Sequence, residues 1–306
     1  MENQNYTLNV FIASRDRTSL TKKTIESILD NSRVFTTIKI SVYDNNSTNI
    51  KERMNTFSEL LENKKIIYYS YDTPESLEYC FGKPHAFKRW IDTNILNLSV
   101  KSSNNNYSTD NEYFAIVDND MIFGDGWDRC FITANNYFKL NNPNIQYIVK
   151  RPGGVWKQTT ENDLIKIQNP FSPYEQIEAI TWNHGGGSGF WFMNYQQLRL
   201  VNWSVNEMKL VHHKHNHDDV ISWNRFKQMF GMKDFVAAVK IPATDLDNPL
   251  ILHLGSIYGS IVNHLVKNEY TRETQEHLKF REEEDLSLTH NELFEKYKSF
   301  IHTREW

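Results

Sequence analysis

Tyr113-Phe114-Ala115-Ile116-Val117 is an apolar run long enough for one buried strand, and it stops abruptly at Asp118-Asn119-Asp120. Side chains alternate faces along a strand, so Asp118 and Asp120 are expected to point the same way from its C-terminal end. In an open α/β sheet that edge is where ligands bind. Two hard oxygen ligands on one side suit Mg²⁺ or Mn²⁺, with phosphate oxygens or water completing the shell. The pattern therefore suggests a metal-bridged nucleoside diphosphate. The other reading is a polar turn after a buried strand, continued by Gly124-Asp125-Gly126, since Asp and Asn are common turn residues.

Two earlier runs end in a similar way. Leu8–Ala13 reads as a strand that stops at Ser14-Arg15-Asp16, and Thr36–Tyr43 as one that stops at Asp44-Asn45-Asn46-Ser47. Between them, Leu20–Asp30 carries Ile25, Ile28 and Leu29 on one helical face. Asn49–Glu62 reads as a helix and Lys65–Tyr71 as a third strand. Lys83–Leu98 reads as a helix with Pro84 in its first turn, where the missing N–H costs nothing. Ser99–Asn111 is polar and low in complexity, the character of a surface loop. This β-α-β-α-β order predicts an α/β fold with a mostly parallel central sheet flanked by helices.

The second half is less regular. Tyr147–Lys150 reads as a strand, followed by a long loop to about Glu178 and a strand at Ile180–Trp182. Gly185-Gly186-Gly187-Ser188-Gly189 leads into a strand at Phe190–Asn194 and a short helix at Tyr195–Val201. Asp218–Phe230 reads as a helix closed by Gly231. Phe235–Lys240 and Leu250–His253 read as strands; from about Ile257 the chain is helical in character, and from Tyr270 it is highly charged.

Composition narrows the function classes. An apolar content of 39% and an aromatic content of 13% over 306 residues belong to a globular chain with a sizeable core. A formal net charge of −4 offers no basic footprint for nucleic acid, which lowers the prospect of a metal-dependent nuclease. Cys80 and Cys130 set no disulfide framework, and a cytoplasmic location is the expectation. Met1–Tyr6 is polar and unlike a signal peptide, and no apolar stretch reaches the roughly 18–20 residues of a membrane span.

The order of Ala13-Ser14-Arg15-Asp16, Asp44-Asn45-Asn46-Ser47 and Asp118-Asn119-Asp120 resembles that of the A-type glycosyltransferases, most closely the family 2-type enzymes, over roughly residues 7–255. The resemblance implies a Rossmann-like sheet. It divides the chain into a nucleotide-sugar-binding half (1–120), an acceptor-binding and catalytic half of the same domain (121–256), and a helical C-terminal extension (257–306). It places Ala13, Ser14 and Arg15 along the nucleoside and Asp44 on the base or ribose, although Asn46 or Ser47 would serve equally well as a plain helix cap. It places Lys83 and Arg89 near the diphosphate, at a helix start that favours anions. Asp118 and Asp120 match the metal-binding Asp-x-Asp, with Asp120 the direct ligand and Asp118 a ligand, a water-bridged ligand or a donor contact. His253 in Leu252-His253-Leu254-Gly255 matches a His that completes the metal site in several A-type enzymes, and neutral imidazole is a reasonable Mn²⁺ ligand.

Two downstream features match the acceptor half. Trp182, His184, Gly186, Gly187, Ser188 and Trp191 fit a sugar site of backbone donors and aromatic faces, and the absence of a following Lys-Ser/Thr separates this glycine run from a phosphate loop. His217-Asp218-Asp219 before the Val220–Phe230 helix matches a carboxylate pair under the acceptor, with Asp219 the general base and Asp218 an acceptor contact; reversal of those two roles stays open. Acidic residues at a helix start also complement its dipole without any chemistry. His212-His213-Lys214-His215-Asn216-His217 lacks zinc spacing and reads as a polar loop over the site.

The resemblance thus implies an inverting hexosyltransferase-like enzyme that uses Mn²⁺ or Mg²⁺, takes a nucleotide-sugar donor (UDP-sugar favoured) and acts on a hydroxyl-bearing acceptor. That acceptor is a carbohydrate or another molecule, a nucleic acid included. The alternatives are a catalytically silent nucleotide- or carbohydrate-binding module and a nucleotidyltransferase; the latter expects a glycine in the loop after strand one, where Ala13–Arg17 has none. The charged Tyr270–Trp306 segment reads as a solvated extension and a candidate homo-oligomer contact.

Overall fold

The structure, a computed structural model, describes residues 5–14, 17–45, 47–71, 79–103, 108–150, 163–171, 176–183, 189–201, 218–240, 250–255, 257–258 and 284–301, with backbone only for 45, 70–71, 79–85, 218–223, 240 and 299–301. A nine-stranded sheet runs through it in the order β3-β2-β1-β4-β9-β6-β10-β8-β7. These strands are β1 (Tyr6–Ser14), β2 (Phe35–Asn45), β3 (Ile66–Tyr71), β4 (Glu112–Asp118), β6 (Tyr147–Lys150), β7 (Ile165–Gln168), β8 (Gln176–Trp182), β9 (Phe190–Asn194) and β10 (Val236–Lys240). β8 and β9 run against the others, so the sheet is mostly parallel, as the βα alternation predicts.

The apolar runs are continuous because the central strands are covered on both faces. Leu8, Val10, Ile12, Tyr113, Ala115 and Val117 enter one core with α1 (Thr18–Asn31) and α5 (Trp127–Asn141). The intervening Phe11, Phe114 and Ile116 enter the other with α4 (Tyr79–Ser103), α6 (Tyr195–Val201) and Phe226 of α7 (Asp218–Phe230). Asp128 in the first turn of α5 ties the layers together. Its Oδ2 accepts from Ser32 Oγ (2.5 Å), Arg33 N (2.8 Å) and Val34 N (2.7 Å), fixing the turn that launches β2.

Several sequence expectations change in detail. Asn49–Glu62 forms two helices, α2 (Ile50–Thr56) and α3 (Ser58–Glu62), kinked at the fully buried Phe57. α4 begins at Tyr79, so Pro84 lies beyond its first turn. The same helix runs to Ser103, into the segment that reads as loop. β7 lies within the expected long loop, and β8 starts at Gln176. Among the described residues no helix is long and apolar enough to cross a membrane.

A second, two-stranded antiparallel sheet pairs β5 (Met121–Phe123) with β11 (Ile251–His253), setting His253 opposite Met121. Its apolar side chains, Ile122 and Leu252, form a third core with Leu20, Leu254, Ile257, Tyr258 and the face of α8 (His290–Ile301) that carries Leu293, Phe294 and Tyr297. The described part of the C-terminal extension is therefore packed, not solvated. Apolar spacing on α8 is masked in sequence by its dense charge. Asp285 anchors it, fully buried, accepting from Tyr258 Oη (2.7 Å), Tyr297 Oη (2.5 Å) and Lys296 Nζ (2.8 Å). Asp285→Ala strands two buried hydroxyls, and a loss of about 2–4 kcal/mol is expected by denaturant titration; a loss below about 1 kcal/mol would show that the anchor is dispensable.

Candidate metal centre

Strand register brings the sequence motifs to one edge. Ala13 lies beside Asp118 on one side and Tyr43 on the other, and Ser14 lies beside Asp44. β4 ends at Asp118, and Asn119-Asp120 forms a turn into β5. Strand alternation therefore does not by itself align the two carboxylates. The turn does so, and the β5–β11 pairing adds the third group. Ligand atoms of Asp118, Asp120 and His253 lie within 4.8 Å of one another, the scale of a single coordination sphere.

Asp120 is 6% exposed. His253 Nε2 stands 3.2 Å from its Oδ1, yet the contact misses hydrogen-bond geometry, so Oδ1 is buried with no donor among the described residues. Arg17 Nη1 donates to Oδ2 at 3.1 Å. Burial pushes the Asp120 carboxyl up, but His253, Arg17 and Lys150 outweigh it and hold the group down at about 2. The carboxylate is thus ionised wherever the protein works, as a metal ligand must be. A buried, ionised oxygen lacking a donor beside an imidazole and a second carboxylate fits a divalent ion with mixed O/N preference, such as Mn²⁺.

Two glycines make room for this arrangement. A Cβ on Gly255 would collide with Oδ2 of Asp120. Gly189 has φ +119°, its carbonyl accepts from Asp118 N–H at 2.7 Å, and a Cβ there would strike Met121 Cε and lie 3.2 Å from Asp118 Oδ2. Gly255 follows His253 by two residues, a signal that the sequence holds but that spacing alone does not explain.

No protein-family model matches the chain, and no curated protein matches it. Among solved structures it is similar to the mannosyltransferase PcManGT from Pyrobaculum calidifontis in complex with GDP-Man and Mn²⁺, at 12% identity over 97% of this chain and 74% of that one, with a TM-score of 0.43. The galactosyltransferase LgtC, in complex with donor and acceptor sugar analogues, follows at 13% identity over 75% and 72%, with a TM-score of 0.37. The glycosyltransferase GlyE of Streptococcus pneumoniae matches at 10% identity over 76% and 45%, with a TM-score of 0.39. All three are glycosyltransferases, the group that the strand-end motifs resemble. Likenesses this remote leave the weight on the chain's own geometry.

Behind the metal turn lies a buried polar network that the sequence does not announce. Arg53, fully buried on α2, donates through Nη1 to Asp44 Oδ1 (2.9 Å) and Ser14 Oγ (2.8 Å). Ser14 Oγ meets Thr21 Oγ1 at 2.8 Å, and Asn119 Nδ2 donates to Thr21 Oγ1 at 3.2 Å. Ser47 Oγ also donates to Asp44 Oδ1, and Tyr68 Oη donates to Oδ2 at 2.5 Å. Burial first, then the Asp44 bond, push the Tyr68 phenol well above its ordinary value and keep it a donor. Asp44, 1% exposed, therefore gives both oxygens to protein donors where the resemblance puts base or ribose.

The remaining expected residues divide sharply. Arg89 is exposed on α4; burial and Tyr69 push the Tyr43 phenol up to about 12, and the Arg89 charge opposes the rise. Trp191 is 2% exposed and stacked on Tyr147 with centroids 4.8 Å apart, and Trp182 is 8% exposed in the same core. Both rings are packed in protein, which corrects the expectation of sugar-stacking rings: α4, α6 and α7 cover this face of the sheet, so its tryptophans fill the core. Arg15, His184, Gly186, Gly187, Ser188 and the His212–His217 loop lie outside the described residues, as do the side chains of Lys83, Asp218 and Asp219.

Proposed function

We propose that this chain is a metal-dependent glycosyltransferase that moves a sugar from a nucleoside-diphosphate sugar to an acceptor hydroxyl. The observation that carries the reading is the convergence of Asp118, Asp120 and His253 at the carboxyl edge of the β1-β2-β4 sheet, with Asp120 Oδ1 buried and lacking a donor. Asp120, Asp118 and His253 would hold Mn²⁺ or Mg²⁺. Bound there, the ion would act as a Lewis acid on the donor diphosphate and stabilise the leaving nucleotide.

The chain's own groups supply the rest. Ala13 and Asp118, adjacent in register, line the nucleoside side of the edge, supported from behind by the buried Ser14, and Arg15 takes the nucleoside contact that the resemblance implies. Asp44 acts beneath them by holding Arg53, which in turn donates to Ser14. Lys83 and Arg89 on α4 offset diphosphate charge. Backbone groups of Gly186 and Gly187, with His184 and Ser188, contact the donor sugar. Asp219 at the start of α7 takes the proton from the acceptor hydroxyl, and Asp218 orients that hydroxyl. One displacement at the anomeric carbon then inverts its configuration. UDP is the favoured carrier.

A screen of UDP- and GDP-sugars with Mn²⁺, Mg²⁺ or EDTA tests the reading. Turnover that EDTA abolishes and either metal restores is expected, and failure to bind or turn over any nucleotide-sugar removes the proposal. NMR of the product is expected to show the anomeric configuration opposite to the donor's. Retained configuration would strip Asp219 of the base role.

A further inference from the structure

Arg17 holds one oxygen of a carboxylate that a divalent ion would have to share. It is the residue before α1, its side chain is 47% exposed, and its Nη1 lies 3.1 Å from Asp120 Oδ2. The two oxygens of Asp120 are thus divided between two cationic or potentially cationic groups, His253 at Oδ1 and Arg17 at Oδ2. Gly255 packs closely against Oδ2, where a Cβ would collide with it, and Arg17 Nη1 lies 3.8 Å from the position that Cβ would take. The buried Arg53 is fixed by Asp44 and Ser14, whereas Arg17 makes its side-chain bond to Asp120 from a half-exposed position, so its guanidinium can turn to water once another cation takes over the buried carboxylate.

We propose that Arg17 is a built-in counter-cation, which neutralises Asp120 in the metal-free chain and is released to the donor's diphosphate when the divalent ion binds. This rests on the metal-dependent nucleotide-sugar reading above. The oxygen that makes no hydrogen bond, Oδ1, is the one a divalent ion would take, and a guanidinium 3.1 Å from Oδ2 of the same carboxylate would then stand close enough to the ion for strong mutual repulsion. Metal binding alone therefore breaks the Arg17–Asp120 pair and leaves Arg17 with no anion. When a diphosphate shares the ion, it brings oxygens to the same edge, and a guanidinium engages phosphate oxygens in paired bonds. The device makes metal and diphosphate binding mutually supportive: each is weaker without the other.

The sign of the effect distinguishes this from a plain donor contact. Mn²⁺ titrations followed by electron paramagnetic resonance, without nucleotide and then with UDP or GDP, are made on wild type, Arg17→Gln, Arg17→Lys and Asp120→Ala. Arg17→Gln is expected to bind Mn²⁺ alone more tightly, by roughly threefold to tenfold. It is expected to lose most of the affinity gain that the diphosphate confers, while Arg17→Lys keeps much of the wild-type pattern. Unchanged or weaker Mn²⁺ binding by Arg17→Gln without nucleotide overturns the counter-cation role. If Asp120→Ala instead binds Mn²⁺ as wild type does, the metal centre itself is misplaced, a distinct result that removes both proposals.

Discussion

Asp120→Ala is expected to abolish measurable Mn²⁺ binding at the site and to lower sugar transfer by about a thousandfold or more, while the fold stays intact. The loss is large because Asp120 is the proposed ligand that the tertiary structure both buries and surrounds with cationic groups. Its carboxyl is held at about 2, against the rise that burial alone would cause, by His253, Arg17 and Lys150. Stability changes little for a physical reason. The groups left behind are Arg17, half exposed and able to turn to water, and His253, whose side chain is also partly open to solvent at 22%. Circular dichroism and thermal melting of the variant should match wild type within a few degrees. Metal-stimulated activity that survives Asp120→Ala would remove this carboxylate from the centre.

Asp44→Ala is expected to have the opposite profile, with a loss of about 3–5 kcal/mol in stability. Arg53 is fully buried, and its pair with Asp44 is a salt bridge at 2.9 Å with 0% and 1% side-chain exposure. Among the described residues its Nε and Nη2 have no acceptor, so removing Asp44 leaves a buried guanidinium held by Ser14 alone. Buried charges without a partner are among the few changes that exceed ordinary mutational costs. The double change Asp44→Ala with Arg53→Met should recover much of the loss, because the uncompensated charge goes with it. Chemical denaturation measures both. A single variant that loses less than about 1 kcal/mol, or a double variant no better than the single, would show that the pair is not what holds β2, α2 and β1 together.

The two profiles show where the sequence was legible. Strand ends at Ser14, Asp44 and Asp118 follow from local patterning, because an apolar run stops where polar turn residues begin, and the register confirms that the three ends meet. What those residues do at the edge was legible only in part. Asp44 and Asp118 look alike in sequence, each a carboxylate after an apolar run. One is fully paired inside, with Arg53, Ser47 and Tyr68, while the other joins Asp120 and His253. The difference lies in α2, which turns Arg53 inward beneath Asp44. Likewise Trp191 beside a glycine run is as compatible with a sugar platform as with a core, and only the helices that cover this face of β9 make it core.

The Asp118-Asn119-Asp120 turn marks the same boundary from the other side. By itself the sequence determined the alternation of strands and helices, the mostly parallel sheet and the edge at which carboxylates gather, since these depend on apolar periodicity within a few residues. Only the tertiary structure decided that a turn, and not strand alternation, aligns Asp118 with Asp120, that β11 brings His253 from more than a hundred residues away in sequence, and that Arg17 reaches Oδ2 beside the close-packed Gly255. Those are long-range contacts, and their partners are chosen by packing between distant segments, which no local pattern encodes.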